Sequence, residues 1–440
     1  MLLERTLDEL TKKNKVALGI DFGNDITQIT YCRADQSMPE TISLVNGEEQ
    51  YNIPTVLCRN QEQHQWYYGK EALQKAQAGE GILVEDLVLF ANNGSTVEVG
   101  DMEFAIEELM EIFLKKCLGL VSAFATPQDI SHIAFSLRTV TPELMAVLKK
   151  AVAELKLDGV QVQFMSRKDC FFQYIIHQPE EMWIHDVLLF EYGTSGVKSY
   201  LLEKNLKTRP IVCMIQEELF PQMKQQGLTT SIREQKEAYQ LQLDAAFLEI
   251  IREKCEKRHI TSVFLLGDEF STQWCKESIR YLCKGRRVFQ GNNLFCKGAC
   301  YGAREQMMPS TLKQEYVHLS DEKLIANLGI NCNKGMQEIY LPLLHAGTNW
   351  YEAEKELDVM LSVNNKIPIT ITPVDGRAAR KAEITLEGLH VRGNRTNRVG
   401  IRMDMTDAHT VRISLKDKGF GDIFPSSGQV WQEEFSLKDL

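Results

Sequence analysis

The chain has 440 residues, 44% of them hydrophobic and 25% charged, and a formal net charge of −10. At roughly 100–200 residues per domain it holds two to four domains with cores of their own, and its ordinary composition excludes a collagen-like, disordered or low-complexity protein. The acidic balance weighs against a nucleic-acid binder, and no run of about 18 consecutive apolar residues marks a membrane span.

The first residues, Met1-Leu-Leu-Glu-Arg-Thr-Leu, have no uninterrupted apolar core and are not expected to be a signal peptide. The eleven cysteines form no C-x-x-C pair, and most sit inside apolar runs, as do Cys58, Cys117 and Cys213. They read as buried reduced thiols, which places the chain in the reducing cytoplasm and makes the sequons at Asn93 and Asn394 irrelevant.

Residues 16–31 give an apolar run, the triplet Asp21-Phe22-Gly23, the polar pair Asn24-Asp25 and a second β-like run. This predicts a hairpin with an acid at the mouth of its turn. A helix is predicted over 106–118, a buried strand from His132, and a helix whose apolar positions Leu144, Val147, Leu148, Ala151, Val152 and Leu155 keep a 3–4 spacing. Residues 168–176 read as a further helix. Residues 186–201 then repeat the first hairpin, with Glu191-Tyr192-Gly193 in place of Asp21-Phe22-Gly23 and Thr194, Ser195 and Gly196 completing the turn. A helix over 241–255, a strand over 262–266 ending at Gly267-Asp268, and helices over 274–282 and 297–307 follow in the same order as in the first half.

Residues 15–178 and 183–310 therefore read as two related α/β halves, with a ligand expected between them. The two turns would face each other across that cleft. Their N–H groups could form an anion-binding nest, and Asp21 and Glu191 could hold a hydrated Mg²⁺. Gly267 would offer a helix N-terminus or a close backbone approach.

The junction at 312–325 reads as a polar linker. Beyond it the pattern turns to short alternating strands, with 359–363 and 367–372 flanking Asn364-Asn365, and further strands from Glu383, Gly400 and Thr410. These predict an antiparallel β-sandwich. Basic residues around 377–381 and 392–402 read as solvated faces, and Trp350, Tyr351 and Trp431 as core or edge aromatics.

At these motifs the chain resembles the DnaK-type heat-shock chaperones of the actin-like ATPase superfamily. Gly19-Ile-Asp-Phe-Gly-Asn-Asp is similar to that family's first phosphate loop, and Phe190-Glu-Tyr-Gly-Thr-Ser-Gly to its second. Val263-Phe-Leu-Leu-Gly-Asp-Glu falls where its adenosine motif lies, Lys297-Gly-Ala-Cys-Tyr-Gly-Ala at its closing helix, and residues 164–174 at its connecting helix. The strands beyond 384 resemble the second half of its peptide-binding β-domain.

The resemblance implies a duplicated actin-like nucleotide-binding domain over 1–312, followed by a lidless β-sandwich over 313–440. It implies ATP and Mg²⁺ as ligands, with nucleotide contacts from Asp21, Gly23, Asn24, Asp25, Glu191, Gly193, Thr194, Ser195, Gly196, Gly267 and Asp268. The metal would be held through water by Asp21 and Glu191, and a polypeptide partner would lie on the β-domain.

The chain departs from the family's pattern at several of these places. Glu191 stands for an Asp, Ser166 for a water-orienting Glu, and Asp268 for a Gly. Residues 83–90, where a catalytic Lys is expected, contain no Lys or Arg; Lys198 and Arg167 are the replacement candidates. Loss of a cation and a carboxylate together implies ATP binding with weak or no hydrolysis. The alternative is a nucleotide-independent scaffold on the same fold.

Overall fold

The computed structural model describes residues 15–438 apart from 46, 95, 158, 225–232, 272–273, 321, 335–336, 362–364, 374–376 and 393–396. The N-terminal reading of residues 1–14, Asn364 and the sequon at Asn394 lie outside the described residues. The chain divides into two compact units, Met1–His318 and Leu319–Leu440, so the boundary falls six residues beyond the expected 312.

The first unit is mixed α/β. Its first sheet contains β1 (Val16–Phe22), β2 (Ile26–Arg33), β3 (Glu40–Thr41), β4 (Ile130–Leu137) and β5 (Gln161–Ser166), in the order β5-β4-β1-β2-β3. All seven residues of β1 are buried, as expected of a strand covered on both faces. β1 runs antiparallel to β2 and parallel to β4, and β4 runs parallel to β5.

The second sheet contains β6 (Asp186–Gly193), β7 (Gly196–Asn205), β8 (Ile211–Phe220), β9 (Ile260–Leu266), β10 (Arg287–Gly291) and β11 (Tyr316–Leu319), in the order β10-β9-β6-β7-β8-β11. Its directions repeat the first: β6 is antiparallel to β7 and parallel to β9, and β9 is parallel to β10. The two halves therefore share one strand plan, and both hairpin turns lie at the same end of their sheets.

Helices α1 (Ile106–Val121) and α2 (Pro142–Glu154) belong to the first half. Helix α3 (Arg167–Ile176) follows β5, and α4 (Arg233–Cys255), α5 (Lys276–Leu282) and α6 (Leu294–Met307) belong to the second. The helix expected over 241–255 extends back to Arg233, and the one expected from 274 starts at Lys276.

Helix α6 joins the halves at backbone distance. A Cβ on Gly19 of β1 would sit 2.2 Å from the Cys296 carbonyl oxygen, and one on Gly298 would sit 2.0 Å from that of Cys170 in α3. One apolar cluster spans both halves, with Ala17, Met165, Phe171 and Ile175 packed with Val187, Leu189, Tyr200, Phe264 and Phe295.

The junction departs from the expected polar linker. Leu312–Glu315 forms a single helical turn, and Tyr316–Leu319 is a strand at the edge of the second sheet. Tyr316 packs against Trp183 with ring centroids 4.9 Å apart, and His318 is buried. The apolar faces of these two residues outweigh the polar composition around them.

The second unit holds two four-stranded antiparallel sheets. One orders Gln337–Leu344, Ala326–Lys334, Lys366–Pro373 and Arg380–Thr385; the other orders Lys355–Leu361, Asn397–Asp407, Thr410–Asp417 and Val430–Ser436. Alternate residues enter one shared core, among them Leu328, Ile369, Ile384, Ile401 and Ile413, against which Trp350 and Trp431 also pack. Arg398 pairs with Asp358 at 2.5 Å and Arg402 with Glu354 at 2.8 Å, as expected of solvated basic faces.

Every cysteine is a free thiol. Nine are buried, Cys332 is half-buried and Cys283 is exposed. No helix among the described residues is long and apolar enough to cross a membrane.

Candidate functional site

The two hairpins close with two-residue turns, Asn24-Asp25 after β1 and Thr194-Ser195 after β6. In the first, the Gly23 N–H bonds the Ile26 carbonyl oxygen at 3.0 Å; in the second, Gly193 pairs with Gly196. Gly196 has φ +119°, and a Cβ there would meet the Phe220 carbonyl oxygen at 2.4 Å, so only glycine fits.

Both turns border a cavity of about 410 Å³. It brings together Asp21, Gly23, Asn24, Asp25, Glu191, Gly193, Thr194, Gly267 and Asp268; Ser195 and Gly196 are not among its lining residues. Gly267 has φ +115°, and a Cβ there would lie 2.5 Å from the Tyr192 carbonyl oxygen. The close approach that demands glycine is thus to the chain's own second turn. The expected helix start after it is a short 3₁₀ turn, Asp268–Ser271.

At the floor stands Arg167, the first residue of α3. Ser166 caps this helix, accepting the Asp169 N–H at 3.1 Å. Arg167, one of the two replacement candidates for the missing lysine, is buried, at 8% exposed. Its guanidinium lies 3.1 Å from Asp21 and 3.7 Å from Glu191, and stacks over Phe295 with Cζ 4.1 Å from the ring centroid. Arg138 approaches Glu191 from the cavity mouth at 3.6 Å, and the Tyr200 hydroxyl donates to Glu191 at 3.0 Å. Lys198, the other replacement candidate, pairs with Glu217 at 2.7 Å.

The two acids are shifted in opposite directions. Burial pushes the Asp21 carboxyl above its ordinary value, opposed by Arg167 and reinforced by the Glu191 charge. Burial works the same way on Glu191, but Arg167, Arg138 and the Tyr200 hydroxyl outweigh it and hold the group below its ordinary value. The guanidinium is held in its charged form by both carboxylates against the effect of burial.

The remaining charge is mostly negative. The segment expected to carry a Lys instead places Asp86 (φ +58°) against the first turn, accepting from the Asn24 side-chain amide at 2.5 Å. Asp268 accepts from Asn52 of the first half at 3.1 Å and from Asn292 of the second at 3.3 Å, and Gln28 donates to Asn52 at 2.6 Å. Five carboxylates line the cavity (Asp21, Asp25, Glu191, Asp268, Glu269) against two guanidiniums (Arg138, Arg167). Among the described residues no group of three or more His, Cys, Asp or Glu side chains is arranged to hold a metal ion.

Sequence reasoning missed Asn52, Asp86, Arg138, Glu269, Asn292 and Phe295. Arg138 had a readable signal, since it follows a buried strand in the position where the second half has Asp268 after β9.

A protein whose two halves share a strand plan and meet over a cavity bordered by charged side chains is the class defined by this geometry. Residues 38–321 match a family of unknown function (DUF5716), C-terminal, and residues 323–437 match a domain of unknown function (DUF8552). The first match covers more than half of the chain, which therefore belongs to the DUF5716 family. No curated protein matches the chain.

Proposed function

We propose that this chain is a nucleotide-independent interaction protein on an actin-like, DnaK-related frame. In this reading an internal ion cluster ties its two halves together, and its β-unit offers strand edges to a polypeptide. The matching strand plans of the two sheets support the actin-like reading of the first unit. The paired antiparallel sheets of the second unit, whose edge strands could accept an added strand, support the peptide-binding one.

The observation that carries the proposal is the Arg167 guanidinium shared by Asp21 and Glu191. These are the two acids that the family resemblance would assign to hydrated Mg²⁺, and a fixed, permanently charged group already pairs with both. Asp86 and Asp268 add negative charge where the resemblance implies a lysine and a glycine, and Asp25 adds more at the first turn. Bringing a triphosphate into a cavity with this balance is unfavourable, and the donor set does not fit a resident Mg²⁺. Loss of one electrostatic donor alone costs about 10²–10³ in rate, so hydrolysis is not part of the proposal.

ATP bound without turnover is the second reading. It is favoured by the 410 Å³ volume, which falls within the common size of small-molecule pockets. Isothermal titration of the full chain with ATP and Mg²⁺ separates the two. The scaffold reading expects no saturable binding below about 1 mM. Tighter binding that is lost in Asp21→Ala would overturn it in favour of the second.

A further inference from the structure

The chain is acidic overall, yet one pole of the second half is strongly basic. β6, β9 and β10 run in the same direction, and their C-terminal ends face the cavity described above. At their N-terminal ends lies a separate depression of about 540 Å³ lined by His185, Arg258, His259, Lys284, Arg286 and Arg287. Glu181 is the single acid among its described lining residues.

Two turns build it. One links α4 to β9 and carries Arg258 and His259; the other links α5 to β10 and carries Lys284, Gly285 and Arg286, with Arg287 opening the strand. Gly285 has φ +76°, which lets the second turn reverse tightly and set Lys284 and Arg286 around one bend. The Asp186 N–H bonds the His259 carbonyl oxygen at 3.1 Å and fixes the first turn to the sheet.

The four cations keep donors to spare. The closest carboxylate to any of them, among the described residues, is Glu203, 3.8 Å from Arg258 Nε. Arg287 donates one bond to the Glu181 carbonyl oxygen at 2.8 Å, and Arg286 one to the Tyr281 carbonyl oxygen at 3.4 Å. A guanidinium has five N–H donors, so even with Arg286 also lying over the Tyr281 ring, 5.5 Å from its centroid, most of this capacity is unused among the described residues.

Helix C-termini favour cations, and two helices end here. That preference accounts for a charge near each end. It does not account for four cations converging on one concavity with a single acid among them.

We propose that this depression is a binding site for a small polyanion of the phosphoryl class, such as a short polyphosphate or a phosphorylated metabolite. Arginine forks match phosphoryl oxygens two at a time, and a polyphosphate offers several such groups to the three arginines where a lone carboxylate offers one. The adjoining depression sets Asp186, Glu203 and Glu256 against Lys204, Lys257 and Arg258, so its formal charges balance and the excess of positive charge belongs to the first pocket. A long nucleic acid would run onto surface whose carboxylates offset its cations, whereas a compact anion would stay within the basic pocket. The inference does not depend on the reading of the cleft.

The test is titration of the full chain with tripolyphosphate at about 50 mM salt, where ionic contacts are weakly screened. The expected result is saturable one-to-one binding. Exposed Lys284→Ala should weaken it by about tenfold, and Arg286→Ala with Arg287→Ala by about 100-fold, as loss of charge-assisted bonds implies. Cys283 lines the same depression and is exposed, so its alkylation, read at the peptide level, should slow as tripolyphosphate fills the site.

Absence of saturable binding up to about 5 mM would overturn the inference. So would binding lost in Arg138→Ala but kept in the Arg286/Arg287 double variant, because the anion would then sit in the cleft. An aspartate-rich peptide that binds as tightly as tripolyphosphate would also overturn it, since the pocket would then read charge alone.

Discussion

Replacing Arg167 by Ala removes the cation that Asp21 and Glu191 share. At an effective dielectric of about 20, contacts at 3.1 and 3.7 Å correspond to gross attractions of about 5 and about 4 kcal/mol. Desolvation of three buried ions offsets most of that, so the intact cluster contributes little net stability. Deleting one partner is different, because Asp21 then stays buried without its cation and Glu191 keeps only Arg138 and the Tyr200 hydroxyl, at a cost of about 3–5 kcal/mol. The cost depends on pH. An acid whose folded carboxyl is raised contributes stability below its ordinary value and loses it as the pH climbs through the raised value. Asp21 is already raised by burial, and without Arg167 it rises further, while Glu191 loses the partner that contributes most to holding it down. The deficit of the variant is therefore largest near pH 8 and shrinks as both groups take up protons towards about pH 4. Thermal melting of the full chain should show the first unit's transition falling by roughly 4–8 °C near pH 8 and by clearly less near pH 5. Arg167→Lys, a point charge that cannot fork between the two acids, should fall between. An equal deficit at both pH values, or a change under about 2 °C near pH 8, would refute the ion-cluster argument.

Three other perturbations probe separate parts of the chain. Burial works to raise Glu305, but its bonds to His177 at 3.1 Å and to the Ser310 N–H at 3.0 Å hold it at about 2. A depressed carboxyl contributes stability above its ordinary value of 4.5 and loses it as the pH falls towards 2, so Glu305→Gln should cost about 3 kcal/mol at neutral pH and little in acid, by melting across that range. Gly298→Ala puts a methyl into the Cys170 backbone and should destabilise the first unit by about 1–3 kcal/mol or more in urea, with the second unit's transition unchanged. Ile413→Ala hollows the shared core of the second unit and should cost about 2–5 kcal/mol in that unit's transition alone.

The repeated hairpins were legible because acid–aromatic–glycine triplets and flanking apolar runs are local features. β1 and β6 fall where the sequence places them, and the alternation beyond Ile367 marks strands for the same reason. Arg167 was not readable as a buried group. A basic residue at a helix start is solvated by default, and only packing against Phe295 and two distant acids makes it otherwise. Asp86 and Asn24 are 62 positions apart, so their bond has no sequence signature. Composition misled at 312–325, where charged residues hide Tyr316 and His318; the latter bonds Asp169 at 2.9 Å and stacks on Phe172.

Asp268 offers the sharpest separation between a cleft that waits for a ligand and one that is closed from within. Amide donors from both halves, Asn52 and Asn292, converge on this carboxylate at the cavity mouth, while Arg167 does the corresponding work at the floor. Asp268 is exposed, so the two bonds contribute modestly to global stability, and Asp268→Gly should leave melting within about 1 kcal/mol of the parent. Its effect should be local. With the upper tie gone, the ends of β1, β6 and β9 open more often, and amide exchange should quicken at residues 22–27 and 266–270 while the strand centres stay protected. A cleft held by the floor cluster alone behaves this way. Unchanged exchange at both segments would mean that Asp268 ties nothing across the mouth, and that packing of α6 against Gly19 and α3 is sufficient to fix the halves.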